Sequence, residues 1–339
     1  MKPRGVHLVG SVPLADRAAV FGCVCEHLGE HIKRLPDGET GTRTNWIAWQ
    51  GAVFEGMDTL VAEEAAQGYI RRPRFRIRPG VDPTSIAFPP LGYAREALAS
   101  YAEFARGKAD GRIPAHMKFL VCLPTPLAPL HSYVAAESMA ALEAPYERAL
   151  LAELSAIVAA IPARELAIQW DTAIEFAILE GVMPTFYASP EEDILARLVR
   201  WGDAVPAAVE MGFHLCYGDS GHRHFKEPDD TGKLVMVANH LATKLARRLD
   251  WLHLPVPRAR DDDAYYAPLA GLHLASETEL YLGLVHRTDG ATGTTRRIAA
   301  ASRVVPRFGI AAECGLGRRD PATIAAFLAL HAALADPRA

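Results

Sequence analysis

Three residues stand out for the chemistry that their side chains can perform together. His214 and Cys216 lie two apart in the apolar run GFHLCY at 212–217, which reads as a strand. Residues two apart on a strand point to the same face. An imidazole and a thiolate on one face form a zinc-type ligand pair, although the same residues also fill buried strands as plain core. Cys314 supplies a second thiol at the end of a later predicted strand, 309–313, and leads into Gly315-Leu316-Gly317-Arg318-Arg319. Strands that close around one mouth would bring Cys314 to the same point, so the three residues are read as a Zn2+ site. His253, in the predicted strand 251–254, is the nearest further donor. It is open to three readings: fourth ligand, substrate contact or core.

The elements that must position these residues alternate along the whole chain. Short apolar runs at 5–10, 32–36, 116–123, 165–170, 212–217, 251–254, 279–285 and 309–313 read as strands. Helical patterns lie between them, at 15–28, from about 45, and at 191–209, 234–248 and 294–303. Strands alternating with helices imply βαβ units and a parallel sheet. Eight of them favour one closed (β/α)8 TIM barrel, spanning residues 1–339 as a single domain with a loop insertion at about 58–114 after the second strand. The second strand is the least distinct, because RPRFRIRP at 72–79 competes for its slot. That basic stretch otherwise reads as a solvated strand or hairpin.

In such barrels the active site gathers at the C-terminal ends of the strands. The residues found there are Gly10-Ser11, Asp37-Gly38-Glu39 with Arg43, Pro124-Thr125-Pro126, Asp171 with Glu175, His214 with Cys216, His253 with Arg258, His286 with Arg287 and Asp289, and Glu313-Cys314. Turn chemistry accounts for the Gly, Pro, Asp and Ser, but not for two cysteines and three histidines.

Composition narrows the partners. The formal net charge of the 339 residues is -4, which disfavours sequence-independent nucleic-acid binding. No run of about 18 apolar residues or secretory leader is visible, so no membrane span is expected. Five cysteines, an odd number, argue for free thiols and a reducing, cytoplasmic location. No G-x-G-x-x-G or P-loop suggests a nucleotide.

Five segments together resemble cobalamin-independent methionine synthase, within the methionine synthase/uroporphyrinogen decarboxylase superfamily. HLCYG at 214–218 and ECGLGRR at 313–319 are similar to that family's zinc-binding segments. LVGSVP at 8–13, DGETGTR at 37–43 and IQWDTAIE at 168–175 are similar to its I-G-S-F-P, H-G-E-x-x-R and Q-x-D-E-P-A segments, in the same order. The resemblance implies that His214, Cys216 and Cys314 bind zinc, and that Ser11, Glu39 and Asp171 hold the amino-acid part of a thiol substrate. It departs at two points. The family's glutamate ligand after the sixth strand has no counterpart in WLHLPVPRAR, where His253 stands about two residues early. The family's histidine after the seventh strand is matched only loosely by His286. Either His286 or Asp289 would assist protonation of the leaving group. Only the catalytic half of methionine synthase is matched, so folate is not implied as the donor.

The function so implied is zinc-dependent transfer of a methyl or other alkyl group to a small-molecule thiol acceptor. One alternative is a metal-free, uroporphyrinogen-decarboxylase-like lyase in which Arg43, Arg258 and Arg287 converge on carboxylates. Another is a non-catalytic zinc-binding relative. Cys23 and Cys25 are expected to diverge on their helix, and Cys122, Trp170, Tyr265 and Tyr266 to pack. His222 and His224 are expected in a solvated loop.

Overall fold

The computed structural model describes residues 2–63, 73–221 and 223–338. Its sequence alternates strand and helix as expected. Among the described residues there are ten strands: β1 (Val6–His7), β2 (Arg34–Pro36), β3 (Leu60–Glu63), β4 (Arg74–Ile77), β5 (Lys118–Pro124), β6 (Leu166–Asp171), β7 (Glu210–His214), β8 (Trp251–Pro255), β9 (Glu279–Val285) and β10 (Gly309–Ala312). Eight of them form one parallel sheet in the order β1-β10-β9-β8-β7-β6-β5-β2. Parallel bridges at Val6–Ile32 and Ser11–Gly38 draw β1 toward β2, so the sheet is a nearly closed (β/α)8 barrel. Most of its strand residues are buried, the signature of a parallel sheet covered on both faces.

The interior is layered by the two-residue period of the strands. Gln169, Gly212 and Trp251 stand in register on β6, β7 and β8, and Asp171, His214 and His253 stand in register two residues further on. Below, Leu120, Ala167, Trp251 and Tyr281 pack together as an inner core. Gly212 is demanded there, because a Cβ would come 2.2 Å from the Trp251 indole. Residues of opposite parity face the helices; Trp170 lies 6.5 Å from Trp201 of the helix Pro190–Asp203. That helix starts with Pro190 and three acids in its first turn, which suit its N-terminus.

Two expectations change. The segment 58–114 is not one loop: β3 and β4 form an antiparallel hairpin, and the helix Tyr93–Ala109 returns the chain to β5 as the barrel's own crossover. RFRI therefore lies outside the barrel, and the second barrel strand is Arg34–Pro36; Arg72 lies outside the described residues. Secondly, β7 ends at His214, so Cys216 sits just past the strand, where Leu215 still donates its N–H to the His253 carbonyl at 3.0 Å. Among the described residues no helix is long and apolar enough to cross a membrane.

Candidate metal centre

β7 and the turn after β10 meet at the barrel mouth. Cys216 Sγ and Cys314 Sγ are 3.7 Å apart, and Cys314 Sγ lies 3.7 Å from His214 Nε2. All three donor atoms fall within 4.8 Å of one another. Zinc with ordinary bond lengths sets tetrahedral edges of about 3.8 Å between two sulfurs and about 3.6 Å between sulfur and nitrogen. Two edges of the triangle therefore have the size that zinc requires. Its hydrogen bond with Cys216, and then burial, push the Cys314 thiol well above its usual range. Two adjacent thiols can both ionise only with a cation between them, so the donor set fits a zinc ion. The Gly218 N–H also donates to Cys216 Sγ at 3.3 Å.

His214 is oriented from below. His253 Nε2 donates to the Ala312 carbonyl at 3.0 Å, since a carbonyl can only accept. Its Nδ1 is then the acceptor for His214 Nδ1–H at 2.6 Å. Burial holds both imidazoles well below their ordinary pKa, His253 down at about 3, so both are neutral. The chain of bonds leaves the lone pair of His214 on Nε2, the nitrogen that faces Cys314. With both ring nitrogens engaged, His253 has no free lone pair to offer a metal, and its bond fixes the tautomer of His214.

Ser11, Glu39 and Asp171 line the same cavity, of about 210 Å³, as His214, Cys216 and Cys314. The reach of each is built locally. Glu39 follows the Asp37-Gly38 turn with φ 49°, a sparsely populated conformation for a non-glycine residue. The turn is held by Asp37, which accepts from the Glu39 N–H at 2.9 Å, from Ser100 at 2.6 Å and from Arg43 at 2.7 Å. Asp171 accepts from Gln169 Nε2 at 2.8 Å, and that amide also donates to the Val9 carbonyl at 2.6 Å. Burial pushes Glu39 up to about 7 and, together with the nearby Glu39, lifts Asp171 well above the carboxylate range.

The GLG run after Cys314 owes its glycines to close approach. A Cβ at Gly315 would lie 2.3 Å from Ser11 Oγ, and one at Gly317 would lie 2.5 Å from the Thr44 carbonyl. The Gly317 N–H donates to Ser11 Oγ at 3.2 Å.

The remaining predicted residues separate. His286 lines a neighbouring polar pocket and donates Nε2–H to the Val256 carbonyl at 2.8 Å. Asp289 is clasped by Arg297 at 2.7 and 2.9 Å at the start of the helix Gly290–Ser302. Arg43, bound to Asp37, does not join Arg258 and Arg287, so the three arginines required of a decarboxylase-like site do not converge. Cys122 packs against the inner core, and Tyr265 and Tyr266 are fully buried, as expected of packing residues. His222 lies outside the described residues. His224, read as solvated, has a side chain only 4% exposed, with Nε2 2.8 Å from Glu313 Oε1. Sequence reading missed this pair; the only local signal was a histidine in a turn-rich loop and an acid beside Cys314.

No family model and no curated sequence matches the chain. Solved structures do match its fold. A Listeria monocytogenes protein assigned as a vitamin-B12-independent methionine synthase aligns at 15% identity and TM-score 0.58, covering 98% of this chain and 97% of its own. A B12-independent methionine synthase from a Shewanella species, in complex with selenomethionine, aligns at 14% identity and TM-score 0.61, covering 98% and 96%. A methyltransferase from Methanosarcina mazei aligns at 12% identity and TM-score 0.55, covering 98% and 93%. At these identities the likeness establishes a shared fold over nearly the whole chain, and it fits the resemblance carried by the five sequence segments.

Proposed function

We propose that this chain is a zinc-dependent transferase that moves a methyl or other alkyl group onto the thiol of a small, amino-acid-like acceptor. The observation that carries this reading is the His214–Cys216–Cys314 triangle, sized for zinc and set in one pocket with Ser11, Glu39 and Asp171. A bound zinc ion would act as a Lewis acid that keeps the acceptor sulfur deprotonated near neutral pH. Three protein donors are the usual number for a catalytic zinc site, so the family's missing glutamate is no obstacle. Two thiolates also balance the metal's charge, whereas a third anionic ligand would weaken attraction for an incoming sulfur anion.

The chain's own residues do the rest. Glu39 and Asp171 receive the acceptor's ammonium group, which offsets the burial that otherwise keeps these carboxyls protonated. Ser11, held by the Gly317 N–H, orients the acceptor's polar end. His253 keeps the Nε2 lone pair of His214 aimed at the metal position. Val9, Ile47, Ile174 and Phe225 give the pocket apolar wall that limits water around the sulfur. One structural neighbour holds selenomethionine, an amino acid with a methylated selenium, and paired acids opposite a metal site suit a ligand of that kind. For protonation of the leaving group His286 is retained and Asp289, locked by Arg297, is dropped.

Elemental analysis and zinc X-ray absorption test the reading. The expected result is about one zinc per chain in mixed sulfur and nitrogen coordination, lost in Cys216→Ser and in Cys314→Ser. Folded wild-type protein that takes up no zinc would sink it.

A further inference from the structure

Beside the metal pocket, on the same face of the barrel, lies a second and strongly polar cavity of about 340 Å³. It is formed by the loops after β7, β8, β9 and β10. The two cavities share Asp219 and Arg318, which are ion-paired at 3.1 Å and stand between them. Four arginines line the second cavity: Arg258, Arg287, Arg318 and Arg319.

The pairing of charges there is uneven. Asp219 is matched by Arg318. Glu313 is matched by His224 at 2.8 Å, with His286 at 3.6 Å, and Glu227 by the other nitrogen of His224 at 3.3 Å. Asp320 caps the Ala322 N–H at 3.0 Å. Each acid thus has a hydrogen-bond or ion-pair partner, whereas Arg258, Arg287 and Arg319 make no ion pair among the described residues. Among the described residues Arg258 donates only to the Thr288 hydroxyl, at 3.1 Å. Arg287 has no hydrogen-bond or ion-pair partner among the described residues. Arg319 lies over the Phe327 ring at 4.6 Å, and its buried Nε has no hydrogen-bond partner among the described residues.

Elsewhere the chain treats its enclosed arginines differently. Arg34, Arg43, Arg197, Arg247 and Arg297 each meet a carboxylate within 3.3 Å. Arg319 is half-buried, and leaving its guanidinium without an anion costs free energy unless a ligand supplies one, while Arg258 and Arg287 stand exposed at the rim of the same cavity. Planar guanidinium forks match carboxylate and phosphate oxygens. The loops after the seventh and eighth barrel strands, here those after β9 and β10, are also where barrels of this class commonly hold phosphate.

We propose that this cavity is an oxyanion subsite, built from Arg258, Arg287 and Arg319, which binds a phosphate or carboxylate group of the alkyl donor. The assignment to the donor rests on the transferase reading; the oxyanion site itself does not. The acceptor enters the metal pocket, and the donor's anionic end anchors across the Asp219–Arg318 pair, so two substrates share one barrel mouth without competing for one cavity.

The test is calorimetric titration of the zinc-loaded protein with inorganic phosphate and, separately, with glutarate, at constant ionic strength. Saturable binding of at least one of them, at one per chain, is expected. Phosphate alone assigns a phosphorylated donor, and glutarate alone a carboxylated one. The Arg258→Gln/Arg287→Gln variant alters two exposed side chains and should weaken that binding at least tenfold, with unchanged melting temperature. A remote variant with the same loss of charge, Arg95→Gln/Arg112→Gln, should bind like the wild type. No saturable binding in the wild type, binding unaltered in the first variant, or equal weakening in both variants would overturn the proposal. Zinc content measured on the same samples reports on the metal centre independently. Oxyanion binding without zinc would defeat the transferase reading and leave the subsite standing.

Discussion

His253 carries a hydrogen bond on each ring nitrogen, and the carbonyl of Ala312 fixes the direction of both. Deleting the imidazole would leave His214 Nδ1–H without an acceptor in a buried site and release the ring to turn. Loss of such an orienting partner typically costs 10–100-fold in metal affinity. His253→Ala is therefore expected to weaken zinc binding by roughly that factor, yet to reach about one zinc per chain at saturating metal, whereas Cys314→Ser does not. Competition with a chelator measures the difference, and equal loss in both variants would make His253 a ligand. At this scale much was legible in the sequence. His214, Cys216 and Cys314 are singled out by residue type and strand-end position, and the structure brings their donor atoms within 4.8 Å of one another. The role of His253 was not legible, because it depends on register between β7 and β8 and on a backbone carbonyl from β10. Neither leaves a mark on residue type.

The loop between β7 and the helix Gly232–Lys244 is tied down by His224, whose two nitrogens meet Glu313 and Glu227. Burial alone would lower its pKa, but Glu313 and then Glu227 outweigh it and raise His224 to about 9. The folded protein thus holds this proton more tightly than the unfolded chain, whose histidine titrates near 6.5. The resulting stability is fully present below about pH 6.5 and is lost as pH rises through about 9. A shift of that size corresponds to about 2–3 kcal/mol for this enclosed pair. Urea unfolding between pH 6 and 10 should show the wild type losing that much more than His224→Gln; parallel curves would refute the assignment. The loop's place was hidden in the sequence because GDSGHRHFKEPDD has turn chemistry and no periodicity. The elements with a clear period were read well, among them 279–285, which is β9 residue for residue. The first strand was overextended: only Val6–His7 pairs regularly, and Gly10, with φ 155°, has left the ladder.

Closure of the barrel is what turns five short segments, spread from Leu8 to Arg319, into one pocket, and it divides the molecule into a working end and a supporting end. At the N-terminal end of the strands the buried Arg34 donates to Glu210 at 2.9 Å and to Glu279 at 2.7 Å, and its guanidinium lies 3.9 Å from the Trp251 ring centroid. Lys33, Lys118 and Arg338 add charge around the same two acids. Burial would push Glu210 and Glu279 up, but Arg34 and these neighbours hold both down at about 2. No reading of local sequence isolates this cluster, since its members are ordinary charged residues: Arg34, Lys118, Glu210 and Glu279 start four different strands, Lys33 precedes one of them and Arg338 lies near the C-terminal end. In barrels, residues at this end serve stability and those at the other end serve chemistry. Arg34→Met removes the buried cation that the two acids share and leaves Glu210 to Lys33 and Lys118 and the partly buried Glu279 to Lys33 and Arg338. Breaking a buried pair costs about 3–5 kcal/mol; with the other cations in place the low end, about 3 kcal/mol, is expected, which for a chain of this length lowers the melting temperature by roughly 4 °C. Trp251 separates this cluster from the layer of Asp171, His214 and His253, so zinc content and zinc affinity at a temperature where the variant is folded should match the wild type. An unchanged melting temperature would remove Arg34 from the supporting role, and loss of zinc while the variant is still folded would show that the two ends are not independent and that the proposed metal centre draws its geometry from the full depth of the barrel.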